Sequence, residues 1–209
     1  MHLQNYYYYF QKALTPRFCD ELIKYGISKQ EQLALTGNET NKKNLSQKDI
    51  KDLKKTRNSN ITWLNDRWIY NEIQPYIHEA NRLAGWNFNW DFSESCQFTK
   101  YKLNQFYDWH CDSWPNPYDN EKDLNVHGKI RKLSVTCSLS DPKDYKGGEL
   151  EFDYRNKNPN EKNNFKKCKE ILPRGSIVVF PSFVWHRVKP VTKGNRYSLV
   201  IWNLGYPYQ

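Results

Sequence analysis

The chain changes hydrophobic period near Trp86, and no other feature constrains its architecture as much. Before that point apolar residues recur at helical spacing. Beyond it they alternate, and a pattern of one period does not sit stably in the other element. Thr15-Pro16 reads as an N-cap followed by proline at the first helical position, and Phe18, Leu22, Ile23 and Ile27 continue an apolar stripe. A longer helix is expected from Asn65 or Asp66 to Ala84. Trp68, Ile69, Ile73, Tyr76, Ile77, Ala80 and Leu83 fall near a 3.6 period, and Gly85 is its natural stop. Pro75 lies inside that pattern and predicts a kink or break. Residues 36–60 are rich in Asn, Lys, Thr and Ser; mobility is expected there, with one short helix from Ser46 to Lys55.

After Trp86 the residues Asn87 to Phe92 alternate polar and aromatic. Short strands are expected over Gln97–Leu103, Lys132–Ser140, Glu149–Tyr154, Lys169–Leu172, Ser176–Pro181, Trp185–Lys189 and Tyr197–Asn203. Gly147-Gly148 and Arg174-Gly175 supply turns. Helices followed by many antiparallel strands make an α+β chain. The expected organisation is one domain over 1–209, with a helical buttress (1–86) against a two-sheet β core (87–209). The polar segment from Ser113 to Lys129 is long enough to act as a flap.

Composition excludes several classes. Mean hydropathy is −0.95, and no apolar run is long enough for a transmembrane helix. Met1 to Tyr6 carry neither a charged n-region nor an apolar h-region, so a cytoplasmic location is expected. The five cysteines are odd in number, widely spaced and without a CxxC pair, which argues against a disulfide framework or a structural zinc site. A formal charge of +9 admits a nucleic-acid partner. Many of the lysines, however, sit in runs that read as solvated faces.

Four residues carry the chemistry. His110 and Asp112 form His-Cys-Asp after an extended segment, and i,i+2 spacing turns both side chains to one face. His186 follows among aromatic and β-branched neighbours, where an unpaired polar ring is costly. Two imidazoles and one carboxylate are the ligand set of a non-haem Fe(II) oxygenase, with positions left open for a co-substrate and O2. Arg196 opens an apolar strand, with Ser198 on its face. A guanidinium in that setting needs an anion, and a dicarboxylate co-substrate would supply one. Tyr101, nine residues before His110, is a candidate donor to the same carboxylate. Cys111 lies between the ligands, but alternation turns it away.

These residues resemble the Fe(II)/2-oxoglutarate-dependent oxygenases, and within them the prolyl 4-hydroxylase-like branch grouped as PKHD-type. The resemblance runs over about residues 97–205. It rests on Gln97 to Asp112, on Leu133 to Ser140 with the following Gly147-Gly148-Glu149 turn, and most closely on Arg174 to Arg196. Two departures are visible. Lys102 to Phe106 lack the glycines common in the family, and Arg196 stands where collagen-type members carry lysine.

The resemblance implies a double-stranded β-helix, a jelly-roll or cupin-like core, with the site at its mouth. It implies that His110, Asp112 and His186 bind Fe(II). It also implies that Arg196, Ser198 and Tyr101 bind the far carboxylate of 2-oxoglutarate. The expected reaction is that of a 2-oxoglutarate-dependent dioxygenase, procollagen-proline 4-dioxygenase-like, with O2 as co-substrate, ascorbate as reductant, and succinate and CO2 released. The expected substrate is a proline-containing peptide or protein, hydroxylated at prolyl C4. Trp109, Trp114, Trp185 and Trp202 are candidates for an aromatic wall around it. A nucleic-acid oxygenase or dealkylase with the same cofactors is a second reading, served by the positive charge. A catalytically inactive jelly-roll binding module is the third; the presence of all four cofactor residues argues against it.

Overall fold

A computed structural model of the protein describes residues 3–35, 45–154 and 164–208. The N-terminal part runs through strand β1 (Tyr8–Phe10), helix α1 (Pro16–Ser28), β2 (Gln32–Leu33), helix α2 (Gln47–Thr56), β3 (Arg57–Asn58), β4 (Asn60–Leu64) and helix α3 (Arg67–Leu83). Strands β5 (Phe92–Ser93), β6 (Cys96–Tyr101), β7 (Phe106–His110), β8 (Ile130–Ser138), β9 (Tyr145–Gly147) and β10 (Leu150–Asp153) follow. The chain then forms β11 (Phe165–Lys167), β12 (Ile177–Pro181), β13 (Trp185–Val188), β14 (Val191–Gly194) and β15 (Arg196–Gly205).

The strands make a jelly roll. The larger sheet has the order β1-β12-β8-β15-β6-β4-β2, with β5 also on β15. The smaller has the order β11-β10-β13-β7-β3, and β9 and β14 form a separate ribbon. Every pairing is antiparallel, so successive side chains along each strand face opposite sides.

That alternation divides the larger sheet into two unlike faces. On one, Phe98, Leu133, Val135, Cys137, Ile177, Val179, Leu199 and Ile201 pack with Leu22 of α1 and Ile69, Ile73 and Ile77 of α3 in a single buried cluster. On the other, the intervening residues are polar yet buried: Gln97, Thr99, Ser134, Thr136, Ser138, Arg196 and Ser198. Burying polar groups is costly unless they have partners, so this face is built around a polar interior, not an apolar core. Val178 and Phe180 of β12 join Leu150, Phe152 and Val188 of the smaller sheet in a second apolar cluster that closes one end of the space between the sheets.

Local chemistry accounts for the helices. The Thr15 hydroxyl accepts the Phe18 N–H at 3.1 Å, with Pro16 at the first helical position. Ser46 and Asp49 form a capping box at the start of α2. Helix α3 continues through Pro75, so the expected break does not occur. Its stripe of Ile69, Ile73, Ile77 and Ala80 is fully buried, and that packing outweighs the roughly 3 kcal/mol cost of an interior proline.

Four further expectations are corrected. Residues 1–86 are not helical throughout: they hold four strands, and β4 pairs with β6 inside the larger sheet. The polar composition of Asn60-Ile61-Thr62-Trp63-Leu64 hides a strand that neighbouring pairing stabilises. Of the stretch expected to be mobile, 36–44 lies outside the described residues, while the rest forms α2, β3 and β4. The alternating segment Asn87–Phe92 is strand only at its end. Asn87 adopts φ 50°, and the Asn81 amide holds Phe88 by donating to its carbonyl at 2.9 Å and accepting its N–H at 3.0 Å. Lys169–Leu172 is a turn closed by the Leu172 N–H on the Lys169 carbonyl; the strand lies earlier, at Phe165–Lys167. Among the described residues no helix is long and apolar enough to cross a membrane.

Candidate active site: two histidines and a carboxylate

Strand pairing assembles the cluster. His110 ends β7 and stands opposite His186 of β13 in the register of the smaller sheet. Asp112 follows β7 by two residues. Its N–H and that of Ser113 both donate to the Ser182 carbonyl, at 2.8 and 3.0 Å, in the turn before β13. One ligand atom from each of His110, Asp112 and His186 lies within 4.8 Å of the others, a spacing one metal ion can bridge. Cys111 is not part of this cluster.

The rings are aimed by the backbone. His110 Nδ1 lies 2.7 Å from the carbonyl of Asp108, and His186 Nδ1 lies 3.0 Å from that of Val184. A carbonyl can only accept, so each Nδ1 carries the proton and each Nε2 presents a lone pair. The two Nε2 atoms face the Asp112 carboxylate at 3.8 and 3.6 Å. Three electron-rich groups converging on a gap with no hydrogen between them call for a cation. Tyr107 stacks on His110 with ring centroids 3.4 Å apart, and the Arg57 guanidinium lies over the far side of Tyr107.

The protonation states suit metal binding, which needs neutral imidazole and ionised carboxylate. Burial, with the neighbouring His186, holds His110 well below the ordinary histidine pKa. Burial alone would raise Asp112. The imidazoles of His186 and His110, the Arg131 guanidinium and the Ser134 hydroxyl outweigh it and hold the carboxylate below its ordinary value. Ser134 Oγ donates to Asp112 Oδ2 at 2.7 Å and also meets Ser182 Oγ at 2.9 Å.

Arg196 sits across the cavity on the larger sheet. It is 3% exposed, pairs in register with Tyr101, and donates from Nη1 to Ser198 Oγ at 3.2 Å. The guanidinium lies 5.4 Å from the Tyr101 ring centroid and forms no ion pair with any described residue. The cavity is bounded by His110, Asp112, His186, Tyr101, Arg196 and Ser198, so all six residues singled out from the sequence line one space. Of the four tryptophans considered for an aromatic wall, Trp202 alone lines it, whereas Trp114 is 53% exposed and Trp109 lies under the Arg187 guanidinium.

Sequence reasoning missed three contributors. Ser134 supports Asp112 from β8, 22 residues away, and only the register reveals it. The Trp202 indole N–H is buried without a partner and lines the same cavity. Gly148 was read as a turn glycine only. It has φ 64°, and a Cβ there would lie 2.8 Å from Arg196 Cδ, so its missing side chain leaves room for the arginine stem.

Comparison with known proteins agrees with this geometry. A PKHD-type hydroxylase of Synechococcus sp. (strain CC9902) is 35% identical over 113 residues, which is 54% of this chain and 42% of that protein. The chain thus spans less than half the length of such curated relatives. The viral collagen prolyl hydroxylase of Paramecium Bursaria Chlorella virus-1, solved as a 2OG complex, superposes with a TM-score of 0.62 at 20% identity, covering 97% of each chain. A prolyl-4-hydroxylase of Pseudomonas putida gives 0.63 at 19% identity, covering 96% of this chain and 93% of that one. At such identities the structural likeness establishes the fold. The profile of the 2OG-Fe(II) oxygenase superfamily matches residues 96–203, more than half of the sequence, and takes in the metal cluster and Arg196 together. The chain belongs to the 2OG-Fe(II) oxygenase superfamily.

Proposed function

We propose that the protein is a peptide or protein hydroxylase, acting on a prolyl residue at C4. His110 and His186, through Nε2, and the Asp112 carboxylate hold Fe(II). Arg196, with the Ser198 and Tyr101 hydroxyls, holds the far carboxylate of 2-oxoglutarate. The observation that carries this reading is the buried Arg196, a guanidinium lacking any described anion and lining the same cavity as the three ligands. A buried unpaired charge is costly, and a dicarboxylate bound at the metal resolves it. The bound iron and co-substrate supply activation of O2, coupled to oxidative decarboxylation of 2-oxoglutarate to succinate and CO2, with ascorbate as reductant.

The chain's own residues do the positioning. The Asp108 and Val184 carbonyls fix both ligand tautomers, and Ser134 fixes the carboxylate. The two apolar clusters flanking the polar interior keep bulk water from the reacting atoms. The choice of a prolyl substrate draws support from the printed activities of the relatives: PKHD-type hydroxylase, collagen prolyl hydroxylase and prolyl-4-hydroxylase. One domain over 1–209 suffices for this chemistry, since every residue assigned a role lies between Tyr101 and Ser198.

The test is mass spectrometry of a proline-containing peptide library incubated with the protein, Fe(II), 2-oxoglutarate and ascorbate. A gain of one oxygen on proline, with matching succinate, is expected. Succinate release with no oxygen on any peptide, but with oxidation of single-stranded DNA or RNA, would replace the prolyl reading with a nucleic-acid one.

A further inference from the structure

A second cavity opens beside the metal cluster. It has a volume of about 490 Å³ and is walled by Trp86, Phe88, Trp90 and Tyr208, with Lys132 at its floor and Asp91 at its rim. That volume lies within the range of ligand-binding clefts. The cleft adjoins the metal cluster through the backbone. The Lys132 carbonyl accepts the Ser182 N–H at 3.0 Å, and the Ser182 carbonyl accepts the Asp112 N–H. Lys132 also shares its strand face with Ser134, which bonds the Asp112 carboxylate, and i,i+2 neighbours on a strand are about 7 Å apart.

Lys132 is the unusual group. It is 3% exposed, yet it forms no hydrogen bond or ion pair through its ammonium with any described residue. Its only contact is the face of Tyr208, 3.6 Å from the ring centroid. The one acidic residue on the cleft, Asp91, is already held by Lys129 at 2.7 Å. Lysines are almost never fully buried unless paired, and an ammonium in an aromatic cleft is a receptor for an anion. Burial also pushes its pKa below the ordinary lysine value, a cost that an incoming carboxylate would relieve.

We propose that this cleft is a substrate subsite that takes an acidic side chain, Asp or Glu, of an extended peptide whose neighbouring residue lies at the metal. The carboxylate pairs with Lys132, and the flanking residues, proline included, lie against Trp86, Phe88, Trp90 and Tyr208. The proposal rests on the reading of the protein as a peptide oxygenase and names the chemistry that would select among peptides. A nucleic-acid backbone fits the cleft less well. Phosphate tracks are lined by several exposed cations, whereas here a single ammonium lies at the bottom and an acid stands at the rim. Aromatic walls of this kind suit the preformed, low-entropy helix of proline-rich segments.

The experiment uses the full chain with Mn(II) and 2-oxoglutarate under anaerobic conditions. Fluorescence anisotropy would measure binding of proline-centred peptides carrying Glu at each successive offset, alongside their Gln counterparts. The same pairs are then assayed for oxygen incorporation with Fe(II) in air. One offset should favour Glu over Gln by about tenfold or more in both binding and kcat/KM. Lys132→Met should reduce that ratio to within about twofold, and Lys132→Glu should invert it toward Lys at the same offset. Thermal melts confirm that both variants fold. If melting shows that Lys132→Glu does not fold, the Met variant alone decides. Glu-selective binding that depends on Lys132 without any oxidation of peptide supports the subsite and rejects the peptide-oxygenase reading. Peptide oxidation with no acidic preference, or with a preference that survives Lys132→Met, overturns the subsite and leaves the reading intact. Binding of single-stranded DNA or RNA, and not of peptides, that is lost in Lys132→Met overturns both, as does absence of peptide binding altogether.

Discussion

The two faces of the larger sheet are made by the same strands and differ in nearly every physical respect. Leu199 and Ser198 are neighbours on β15. Leu199 packs in the helix-backed cluster, whereas Ser198 bonds Arg196 in the cavity. The helix-facing side contributes stability, because burying each large apolar side chain is worth roughly 1.5–3 kcal/mol. The cavity side holds polar groups that are buried without complete pairing, including Arg196 and the Trp202 indole. Such groups weaken the fold and wait for a ligand. Function therefore occupies the alternate positions of the strands that hold the protein together. A one-residue slip in register would exchange the two faces.

Substitutions on the two faces should separate activity from stability. The largest effect is expected from Asp112→Ala. Succinate formation should fall by about a thousandfold or more, since the ligand set loses its only carboxylate. Folding should change little, because no apolar contact is removed; calorimetry alongside a turnover assay decides. Arg196→Ala comes next. Loss of a buried charge partner costs about 3–5 kcal/mol, so 2-oxoglutarate affinity should drop by roughly two to three orders of magnitude while metal affinity holds. Equal loss of both would remove the division of roles between the sheets. Arg196→Lys should also bind poorly, because lysine lacks the planar fork.

On the opposite face, Leu199→Ala should cost about 3 kcal/mol in denaturant unfolding and leave 2-oxoglutarate affinity of the folded protein unchanged. Gly148→Ala should act on both counts to a smaller degree. Its left-handed backbone and its approach to Arg196 predict a loss of about 1 kcal/mol and a severalfold weaker co-substrate, read by melting and by titration. The smallest effect is on pH. Folding depresses the His110 pKa, so below about pH 6.5 the unfolded chain binds the proton more readily than the folded one. Metal-free protein should therefore lose stability as pH falls from 7 to 5.5. His110→Ala should lose less over the same interval, and equal slopes for the two would rule the effect out.

How much could be read from the chain alone follows the same division. His110, Asp112, His186 and Arg196 were readable because each sits at a spacing or in a setting that its chemistry demands, and all four line one cavity. The helices were readable from caps and apolar stripes. Ser134 and Lys132 were not, because their roles depend on which strand lies alongside β8, and nothing local records that. Strand β4 escaped notice because Asn60 and Thr62 dilute its pattern. The Asn87–Phe92 alternation misled for the opposite reason: Asn81 captures Phe88 and bends the chain away from the sheet before pairing can begin. Gly148 was found as a turn, but its second duty, making room for Arg196, exists only in three dimensions.

The paired contacts from His110 to the Asp108 carbonyl and from His186 to the Val184 carbonyl have an evolutionary consequence. Every amino acid brings the same acceptor to positions 108 and 184, so side chains there can be exchanged freely while both imidazoles keep their aim. The metal-facing geometry is thereby insulated from drift in its surroundings, and the neighbouring surface is left to diversify around an unchanging centre.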